Sequence, residues 1–474
     1  MKYEIVIGLE VHAELSTRSK IFCSCKNEFG SDQNTNVCPV CLSMPGTLPV
    51  LNRKVVEYGV KAGMALGCEI PNFSKMDRKN YTYPDLSKAY QISQFEFPLC
   101  RRGEVTITVN GQERVIGITR IHIEEDAGKL VHQSGYSQVD YNRGGVPLIE
   151  IVTEPDMRSA DEVKVFLETV KANLEFMGVS DCKMQEGSLR CDVNISVRPQ
   201  GQKKFGTRTE MKNLNSFSAI YRAIDYEAGR QMDLLDDGGT VTQETLRWDD
   251  ALGKTFSMRD KEEAHDYRYF PDPDLVPVYL TDEEISGFRS SLPELPGAKK
   301  ARYMADFGLS YYDASMLTGS KYTAAFFEDC VAIGGNPKAV CNYIMVDMMR
   351  LLNEGGKEPC DIPVQPPDLC GLLKMVEKGE INSSVGKQVF EEMFKTGKKP
   401  AAIVEEKGLK QIDDADAIQK LVEQIVRDNP KPAEDYRGGN KKAMTFFVGQ
   451  VMKATGGKAN PKTVNELVQK ELEK

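Results

Sequence analysis

The sequence predicts an α+β fold, in which a large, mainly antiparallel β-sheet domain is followed by a helical domain and a small helical tail domain. Residues 1 to about 290 alternate between apolar and polar side chains and are punctuated by Gly, Pro and Asn turns, as in half-buried strands. From about residue 295 the apolar spacing becomes helical, and from about residue 400 the segments are short and rich in lysine. We therefore expect domains at 1–293, 294–400 and 401–474.

The composition is that of a globular protein, with 41% hydrophobic and 28% charged residues. The net charge of −9 argues against indiscriminate nucleic-acid binding over the whole surface, although it leaves room for a local basic patch. We find neither a signal-peptide pattern nor an apolar run long enough to cross a bilayer. These features predict a cytoplasmic protein without membrane contact.

Acidic side chains and histidines recur at every second position of several predicted strands, so they share one face of each strand. The residues on these faces are Glu10, His12 and Glu14, then Arg120, His122 and Glu124, then Glu150, and finally Arg190, Asp192 and Asn194. The simplest interpretation is the solvated face of a half-exposed antiparallel sheet. However, clustered carboxylates repel one another and need cations.

Oxygen ligands with one imidazole suit Mg²⁺ or Mn²⁺, and interspersed arginines suit phosphate oxygens. The strand faces therefore favour a metal–nucleotide site on an open sheet over a plain solvated surface. The chain contains no Gly-x₄-Gly-Lys-Ser/Thr loop, so a nucleotide site here must be of another kind.

Four of the 12 cysteines form two close pairs, Cys23 with Cys25 and Cys38 with Cys41, separated by twelve residues. Such spacing in a chain without a secretory signal is typical of a zinc site. The alternative is four reduced thiols without a metal. We favour a structural Zn²⁺, because it would stabilise a loop that has little apolar content of its own.

The end of the chain is basic, since residues 436–474 contain eight Lys or Arg and three acids. Glycines within 436–442 allow close backbone approach, and the start of the following helix offers free N–H groups to a phosphate. A last helix is predicted from Pro461, with Asn460 as its cap. Its expected core stripe consists of Val464, Leu467, Val468 and Leu472. A solvated, lysine-rich surface is the alternative to a nucleic-acid contact.

Motifs along the whole chain resemble the B subunits of bacterial aspartyl/glutamyl-tRNA(Asn/Gln) amidotransferases. The matching stretches include Gly-Leu-Glu-Val-His at 8–12, Asp-Arg-Lys-Asn-Tyr at 77–81, His-Ile-Glu-Glu-Asp-Ala-Gly-Lys at 122–129, Asp-Tyr-Asn-Arg at 140–143, Glu-Gly-Ser-Leu-Arg-Cys-Asp at 186–192, Lys-Asn-Leu-Asn-Ser-Phe at 212–217, and the loop at 266–275. The archaeal relatives carry a large inserted domain for which this chain has no room, so the resemblance is to the bacterial type.

The resemblance implies a ligase that forms a carbon–nitrogen bond with glutamine as the amido donor. ATP would activate the side-chain carboxylate of Glu or Asp on a misacylated tRNA, and ammonia would attack the resulting acyl phosphate. A separate amidase (glutaminase) chain would supply the ammonia, and a small third chain would complete a heterotrimer. Glu-tRNA(Gln), Asp-tRNA(Asn) or both remain open as substrates.

The resemblance also implies residue roles. Mg²⁺ ligands are expected at His12, Glu124, Glu125 and Glu150, and Glu125→Ala should abolish amide formation while leaving tRNA binding nearly intact. Further catalytic carboxylates are expected at Glu10, Asp192 and Glu210. Phosphate or substrate contacts are expected from Lys79, Arg143 and Arg190, for which structural ion pairs are the alternative. tRNA contacts are expected from Arg437, Asn440, Lys441 and Lys442.

Two other functions remain to be weighed against this one. The first is a non-catalytic, tRNA-binding scaffold of the same complex, which would have no need to cluster carboxylates. The second is a zinc-ribbon RNA-binding factor, which would explain the cysteines and leave His12, Glu125 and Glu150 without a role.

Overall fold

The structure is a computed structural model that describes residues 2–260, 266–410, 415–438, 440–455 and 459–474. The chain divides into two compact units, Met1–Ala298 and Lys299–Lys474. Among the described residues, no helix is both long enough and apolar enough to cross a bilayer. The three predicted domain boundaries remain a prediction.

The first unit contains the strands. They are β1 (Tyr3–Glu14), β2 (Phe73–Ser74), β3 (Asp77–Asn80), β4 (Tyr90–Ser93), β5 (Cys100–Val109), β6 (Gln112–Glu125), β7 (Lys129–Gln133), β8 (Tyr136–Asp140), β9 (Pro147–Thr153), β10 (Leu189–Pro199), β11 (Thr209–Lys212), β12 (Glu244–Asp249), β13 (Lys254–Asp260), β14 (Phe270–Pro271) and β15 (Val278–Tyr279).

Eight of these strands form one sheet in the order β13-β12-β11-β10-β1-β9-β6-β5. Every neighbouring pair in it is antiparallel except β11 and β12, which run parallel. Smaller sheets pair β14-β3-β4, β15-β2 and β7-β8. The predicted α+β class with a mainly antiparallel sheet is confirmed.

Among the residues of the first unit that the structure describes, four helices are found. They are α1 (Arg53–Ala65), α2 (Ala160–Met177), α3 (Phe217–Asp236) and α4 (Asp282–Ser290). Helix α2 begins where the side chain of Ser159 accepts the N–H of Glu162, and it ends at Gly178, whose φ of 67° suits glycine.

Helices α1, α2 and α3 cover one face of the large sheet. Gly59 lets α1 approach closely, because a Cβ there would lie 2.6 Å from Leu99 and 3.2 Å from Ile123. The odd-numbered residues of β1 from Ile7 to Ala13 are buried beneath these helices, which leaves the even-numbered residues on the opposite face.

The second unit is helical. Its helices are α5 (Pro296–Phe307), α6 (Tyr311–Leu317), α7 (Lys321–Ala332), α8 (Pro337–Asn342), α9 (Met349–Glu354), α10 (Pro366–Glu377), α11 (Ser383–Thr396), α12 (Pro400–Glu406), α13 (Ala415–Asp428), α14 (Pro430–Arg437), α15 (Ala443–Ala454) and α16 (Pro461–Leu472), with a π-helical segment at Tyr343–Met348 and a 3₁₀ turn at Pro359–Asp361.

Two clusters of buried apolar side chains lie in this unit, one within residues 303–404 and one within 418–472. The prediction for the last helix is confirmed, because the Asn460 side chain caps α16 by accepting the N–H of Lys462. The predicted core stripe of α16 packs into the second cluster.

Candidate active site

Four adjacent strands place one residue each in a row across the face of the large sheet that lies opposite the helices. His12 on β1 lies opposite Arg190 on β10 and opposite Glu150 on β9. Glu150 in turn lies opposite His122 on β6. Side chains that face each other across paired strands point to the same side, so the row His122–Glu150–His12–Arg190 lies on the face that the helices leave free.

The carboxylates of Glu150 and Glu124 lie between the two imidazoles. The Nε2 atom of His12 lies 3.4 Å from Glu150 Oε2 and 3.4 Å from Glu124 Oε1. The Nε2 atom of His122 lies 3.2 Å from Glu150 Oε2 and 3.6 Å from Glu124 Oε2. Ligand atoms of His12, Glu124 and Glu150 all lie within 4.8 Å of one another. Two carboxylates and an imidazole at this spacing fit a small divalent cation such as Mg²⁺ or Mn²⁺.

The two histidines compensate the negative charge of this cluster. Burial lowers the pKa of His122, but the charge and hydrogen bonds of Glu150 and Glu124 outweigh it and raise the pKa to about 9. The same balance raises the pKa of His12. Burial raises the pKa of Glu150, but His122 and His12 outweigh it and hold that pKa well below its usual value. The cluster is therefore built to hold positive charge between its carboxylates.

Glu125 is not brought into this group, although the family resemblance implies that it binds the same ion. Because side chains alternate along a strand, Glu125 is expected to point away from its neighbour Glu124 on β6. Its carboxylate lies 2.6 Å from Lys88 Nζ and accepts the N–H of Ile92 at 2.9 Å. Three of the four predicted ligands therefore converge, and the fourth, Glu125, is buried elsewhere.

The other predicted carboxylates form a second group on the same face. Glu10 lies opposite Asp192 in the sheet, and Asn194, which lies opposite Glu210, donates to Glu10 at 2.9 Å. Lys212 Nζ lies 2.5 Å from Asp192 and 2.9 Å from Glu210. Although burial lowers the pKa of Lys212, these carboxylates raise it overall, so a lysine ammonium supplies the local positive charge.

The predicted arginines Arg143 and Arg190 share one carboxylate, that of Asp126. Arg190 pairs with Asp126 through contacts of 2.5 and 3.4 Å, and Arg143 Nε lies 3.6 Å from the same carboxylate. Arg143 also donates to the carbonyls of Ala127 and Gly128 at 3.0 and 2.8 Å. Ion pairing with Asp126 thus uses part of the hydrogen-bonding capacity of each guanidinium group. The buried Nε of Arg190 has no hydrogen-bond partner among the described residues.

Lys79 lies among aromatic rings. Its Nζ lies 4.7 Å from the centre of the Tyr267 ring and 5.7 Å from that of Tyr81. Burial and the charge of Glu124 raise the pKa values of Tyr81 and Tyr269, which places these rings beside the carboxylate cluster. Lys79 therefore borders the site within an aromatic cluster.

The four predicted cysteines converge, since their Sγ atoms lie within 4.8 Å of one another. The backbone N–H of Cys38 donates to Cys41 Sγ at 3.2 Å. A hydrogen bond from Cys23, with the positive charge of Lys20 nearby, lowers the pKa of Cys41. Four sulfur ligands, one of them stabilised as a thiolate, fit a tetrahedral metal centre.

The predicted tRNA-binding residues lie around the turn between α14 and α15. Asn440, Lys441 and Lys442 are exposed. Arg437 ends α14 and donates from Nε to the carbonyl of Leu472 at 3.1 Å, so it also ties α14 to the end of α16. Helix α15 begins at Ala443, directly after this motif. Gly439, part of the predicted motif, lies outside the described residues.

Three residues of the site, His122, Lys212 and Asp126, have no role assigned from the sequence. His122 could have been added to the metal cluster, because alternation places it on the same face as Glu124. Lys212 follows Glu210 at the spacing of one strand face, which is also a usable signal. Asp126 carries no such signal, because its partner Arg190 lies 64 residues away along the chain.

Comparisons with known proteins cover the chain from end to end. Residues 5–286 match the family described as the GatB/GatE catalytic domain, and residues 325–472 match the GatB domain. Proteins from Caldicellulosiruptor saccharolyticus and Thermoanaerobacter pseudethanolicus are each 59% identical over 100% of both chains. A protein from Persephonella marina is 54% identical over the same shares. All three are named as the B subunit of aspartyl/glutamyl-tRNA(Asn/Gln) amidotransferase.

Proposed function

The chain belongs to the family of aspartyl/glutamyl-tRNA(Asn/Gln) amidotransferase B subunits, and we propose that it carries the ATP-dependent step of the transamidation. Its substrate is a misacylated tRNA, namely Glu-tRNA(Gln), Asp-tRNA(Asn) or both. An oxygen of the side-chain carboxylate attacks the γ-phosphorus of ATP, and ADP leaves. Ammonia then attacks the acyl carbon, phosphate leaves, and the amide is formed with loss of one proton.

The observation that carries this proposal is the convergence of His12, Glu124 and Glu150 on one face of an open sheet. These three residues would hold a divalent cation, and His122 would keep the carboxylate of Glu150 in place from the opposite side. When bound, such a cation neutralises the charge that develops on the phosphate oxygens.

Arg190 and Arg143 are the candidate phosphate contacts. Arg190 lies opposite His12 in the sheet and keeps a buried Nε without a partner among the described residues. A phosphate oxygen would satisfy that N–H and match the planar guanidinium. The second group, Glu10, Asp192 and Glu210, would bind the amino group of the tRNA-bound amino acid or a further cation.

The remaining proposals concern partners. Ammonia would come from an amidase (glutaminase) chain that hydrolyses glutamine, and a small third chain would complete the heterotrimer. The four cysteines would hold a structural Zn²⁺. The exposed turn with Asn440, Lys441 and Lys442 would contact the tRNA backbone, where lysines act through charge.

The test is amide formation by the chain assembled with its amidase and small partner chains, with Glu-tRNA(Gln) or Asp-tRNA(Asn), ATP, Mg²⁺ and glutamine. ADP release should depend on the charged tRNA. Glu124→Gln, which removes one negative ligand and keeps the shape, should lower the rate of ADP release at least about a hundredfold.

Glu113→Gln is the matched control, because Glu113 lies on the same strand but is exposed at its far end. It should react at the wild-type rate. Unchanged ADP release by Glu124→Gln, with tRNA binding intact, would favour the non-catalytic scaffold.

A further inference from the structure

The cysteine loop holds the backbone of Tyr141 from both sides. We use the name knuckle for residues 20–41, which include the four converging cysteines. The side-chain Oδ1 of Asn34 accepts the N–H of Tyr141 at 2.8 Å, and Lys20 Nζ donates to the Tyr141 carbonyl at 3.2 Å. Both backbone polar groups of this one residue are therefore satisfied by the knuckle.

Further hydrogen bonds extend this contact along the chain. Asn34 donates from its backbone N–H to Asp140 at 3.1 Å and from Nδ2 to the carbonyl of Val139 at 3.0 Å. The N–H of Asn36 donates to Asn142 at 2.8 Å. The turn that leads from β8 towards β9 is thus fixed residue by residue against the knuckle.

Asn34 is suited to this role by its backbone. Its φ of 57° lies in the left-handed region, which asparagine and glycine tolerate better than other residues. It lies in the twelve-residue segment between Cys25 and Cys38, so a metal bound by the cysteines closes the loop that presents it. Its side chain is exposed, so replacing it removes no core packing.

The turn that contains Tyr141 is connected to the two arginines of the site, Arg143 and Arg190. Arg143 follows Tyr141 by two residues and binds the carbonyls of Ala127 and Gly128. Asp126, next to that segment, exchanges backbone hydrogen bonds with Gly145 and Val146 at 3.0 and 2.8 Å. Its carboxylate then holds Arg190, which lies opposite His12.

Lys20 connects the same turn to the sulfur cluster. It is completely buried, and its Nζ lies 3.8 Å from Cys41 Sγ. A buried ammonium needs a nearby negative charge, and a metal–thiolate centre supplies one. Lys20 therefore links the charge of the centre to the position of the Tyr141 carbonyl.

We propose that Asn34 and Lys20 are positioning residues that hold Arg143 and Arg190 at the carboxylate site by fixing the Tyr141 backbone to the metal-closed knuckle. The inference rests on the proposed function of these arginines as phosphate contacts. It gives the knuckle a role in substrate binding beyond closing a loop.

The experiment uses Asn34→Gly, which keeps the left-handed backbone and removes only the side-chain hydrogen bonds. Asn110→Gly is the matched control, since Asn110 has a φ of 51° at the exposed turn between β5 and β6. Lys20→Met is the second variant, because it keeps the length of the side chain and removes the ammonium. All are studied in the assembled complex.

Three quantities are measured: zinc per chain, amide hydrogen exchange of a peptide covering residues 139–143, and kcat and KM for ATP. In Asn34→Gly we expect one zinc per chain, exchange about tenfold faster, and kcat/KM for ATP lower by about tenfold to a hundredfold. The Asn110→Gly variant should match wild type in all three. Lys20→Met should speed exchange in the same peptide and release zinc faster to a chromophoric chelator.

The inference is overturned if the amide hydrogens of residues 139–143 exchange at the wild-type rate in Asn34→Gly. It is also overturned if they exchange faster while kcat/KM for ATP is unchanged. In both cases the proposed function stands. Failure of the proposed function is seen separately, as absence of ATP-dependent amide formation by the wild-type complex. The exchange and zinc measurements do not depend on that activity.

Discussion

His12 and Glu150 face each other across the antiparallel pair β1 and β9, with Nε2 3.4 Å from Oε2. His122 approaches the same carboxylate oxygen from β6 at 3.2 Å. One glutamate thus lies between two imidazoles that neighbouring strands supply. Because the backbone pairing sets these positions, these three side chains are placed by strands and not by loops.

Glu124 and Glu125 provide a sharp test of which face of β6 binds the cation. Glu124→Gln should weaken Mn²⁺ binding by about tenfold to a hundredfold, since it removes a charged ligand. Glu125→Gln should change the Mn²⁺ affinity by less than about threefold, because its carboxylate is paired with Lys88 on the other side. Electron paramagnetic resonance titration of Mn²⁺ measures both. Equal losses in the two variants would restore Glu125 to the ligand set.

The cysteine cluster should contribute to the stability of the first unit. Cys38→Ser should lower the free energy of unfolding of that unit by about 3 kcal/mol or more, because metal binding to four cysteines is coupled to folding. The unfolding temperature of the unit should fall accordingly. Calorimetry with parallel zinc analysis measures this. Cys360→Ser is the control, since Cys360 is an exposed cysteine of the second unit. Zinc-free wild-type protein that unfolds at the same temperature as the loaded form would contradict the prediction.

The turn before α15 should contribute to tRNA binding through charge. The double variant Lys441→Glu and Lys442→Glu should weaken tRNA binding at low salt and reduce the slope of log affinity against log salt by about one to two units. Filter binding over a range of KCl concentrations measures the slope. Lys398→Glu with Lys399→Glu reverses the same charge at another exposed position of this unit. If both double variants lose affinity equally, the contact is not specific to the turn.

Glu328 should make stability depend on pH. Burial raises the pKa of Glu328, but hydrogen bonds from Lys299 and Arg302 outweigh it and hold the pKa below the usual 4.5. An acid with a lowered folded-state pKa stabilises the protein above its unfolded-state pKa, and this stability is lost as pH falls through the folded-state pKa. Glu328→Gln should therefore lower the free energy of unfolding at pH 7, and with it the unfolding temperature. The loss should be about 1 kcal/mol or less, because the group is partly exposed.

The difference between Glu328→Gln and wild type should be constant near neutral pH and shrink as the pH falls below about 4.5. Thermal unfolding followed by circular dichroism at several pH values measures it. Glu380→Gln, at an exposed glutamate of the same unit, is the control. A difference that stays constant with pH would exclude the ion pair as its cause.

Much of the candidate site could be predicted because strand alternation is a local property. It correctly places Glu10 and His12 on the face away from the core, and the cysteine spacing correctly predicts a four-sulfur cluster. Alternation also separates Glu124 from Glu125, but the family resemblance groups them together. The physical pattern was the better guide to geometry at that point.

The remaining contacts of the site depend on the register in which the strands pair, and that register cannot be read from the pattern of any single strand. Which residue of β10 faces His12 is fixed only when the strands pair, so the contact between Asp126 and Arg190 could not be foreseen. Lys20 is a harder case, because a lysine in a polar segment ordinarily indicates a solvated side chain. Its complete burial follows from the sulfur cluster beside it.

The row across β6, β9, β1 and β10 makes the site far more sensitive to insertions than to many substitutions. One extra residue early in β9 would turn Glu150 towards the helices and bring an isoleucine to the carboxylate face, with the composition almost unchanged. Length variation among homologous chains should therefore be confined to turns, such as the one between β5 and β6, and be absent from these four strands.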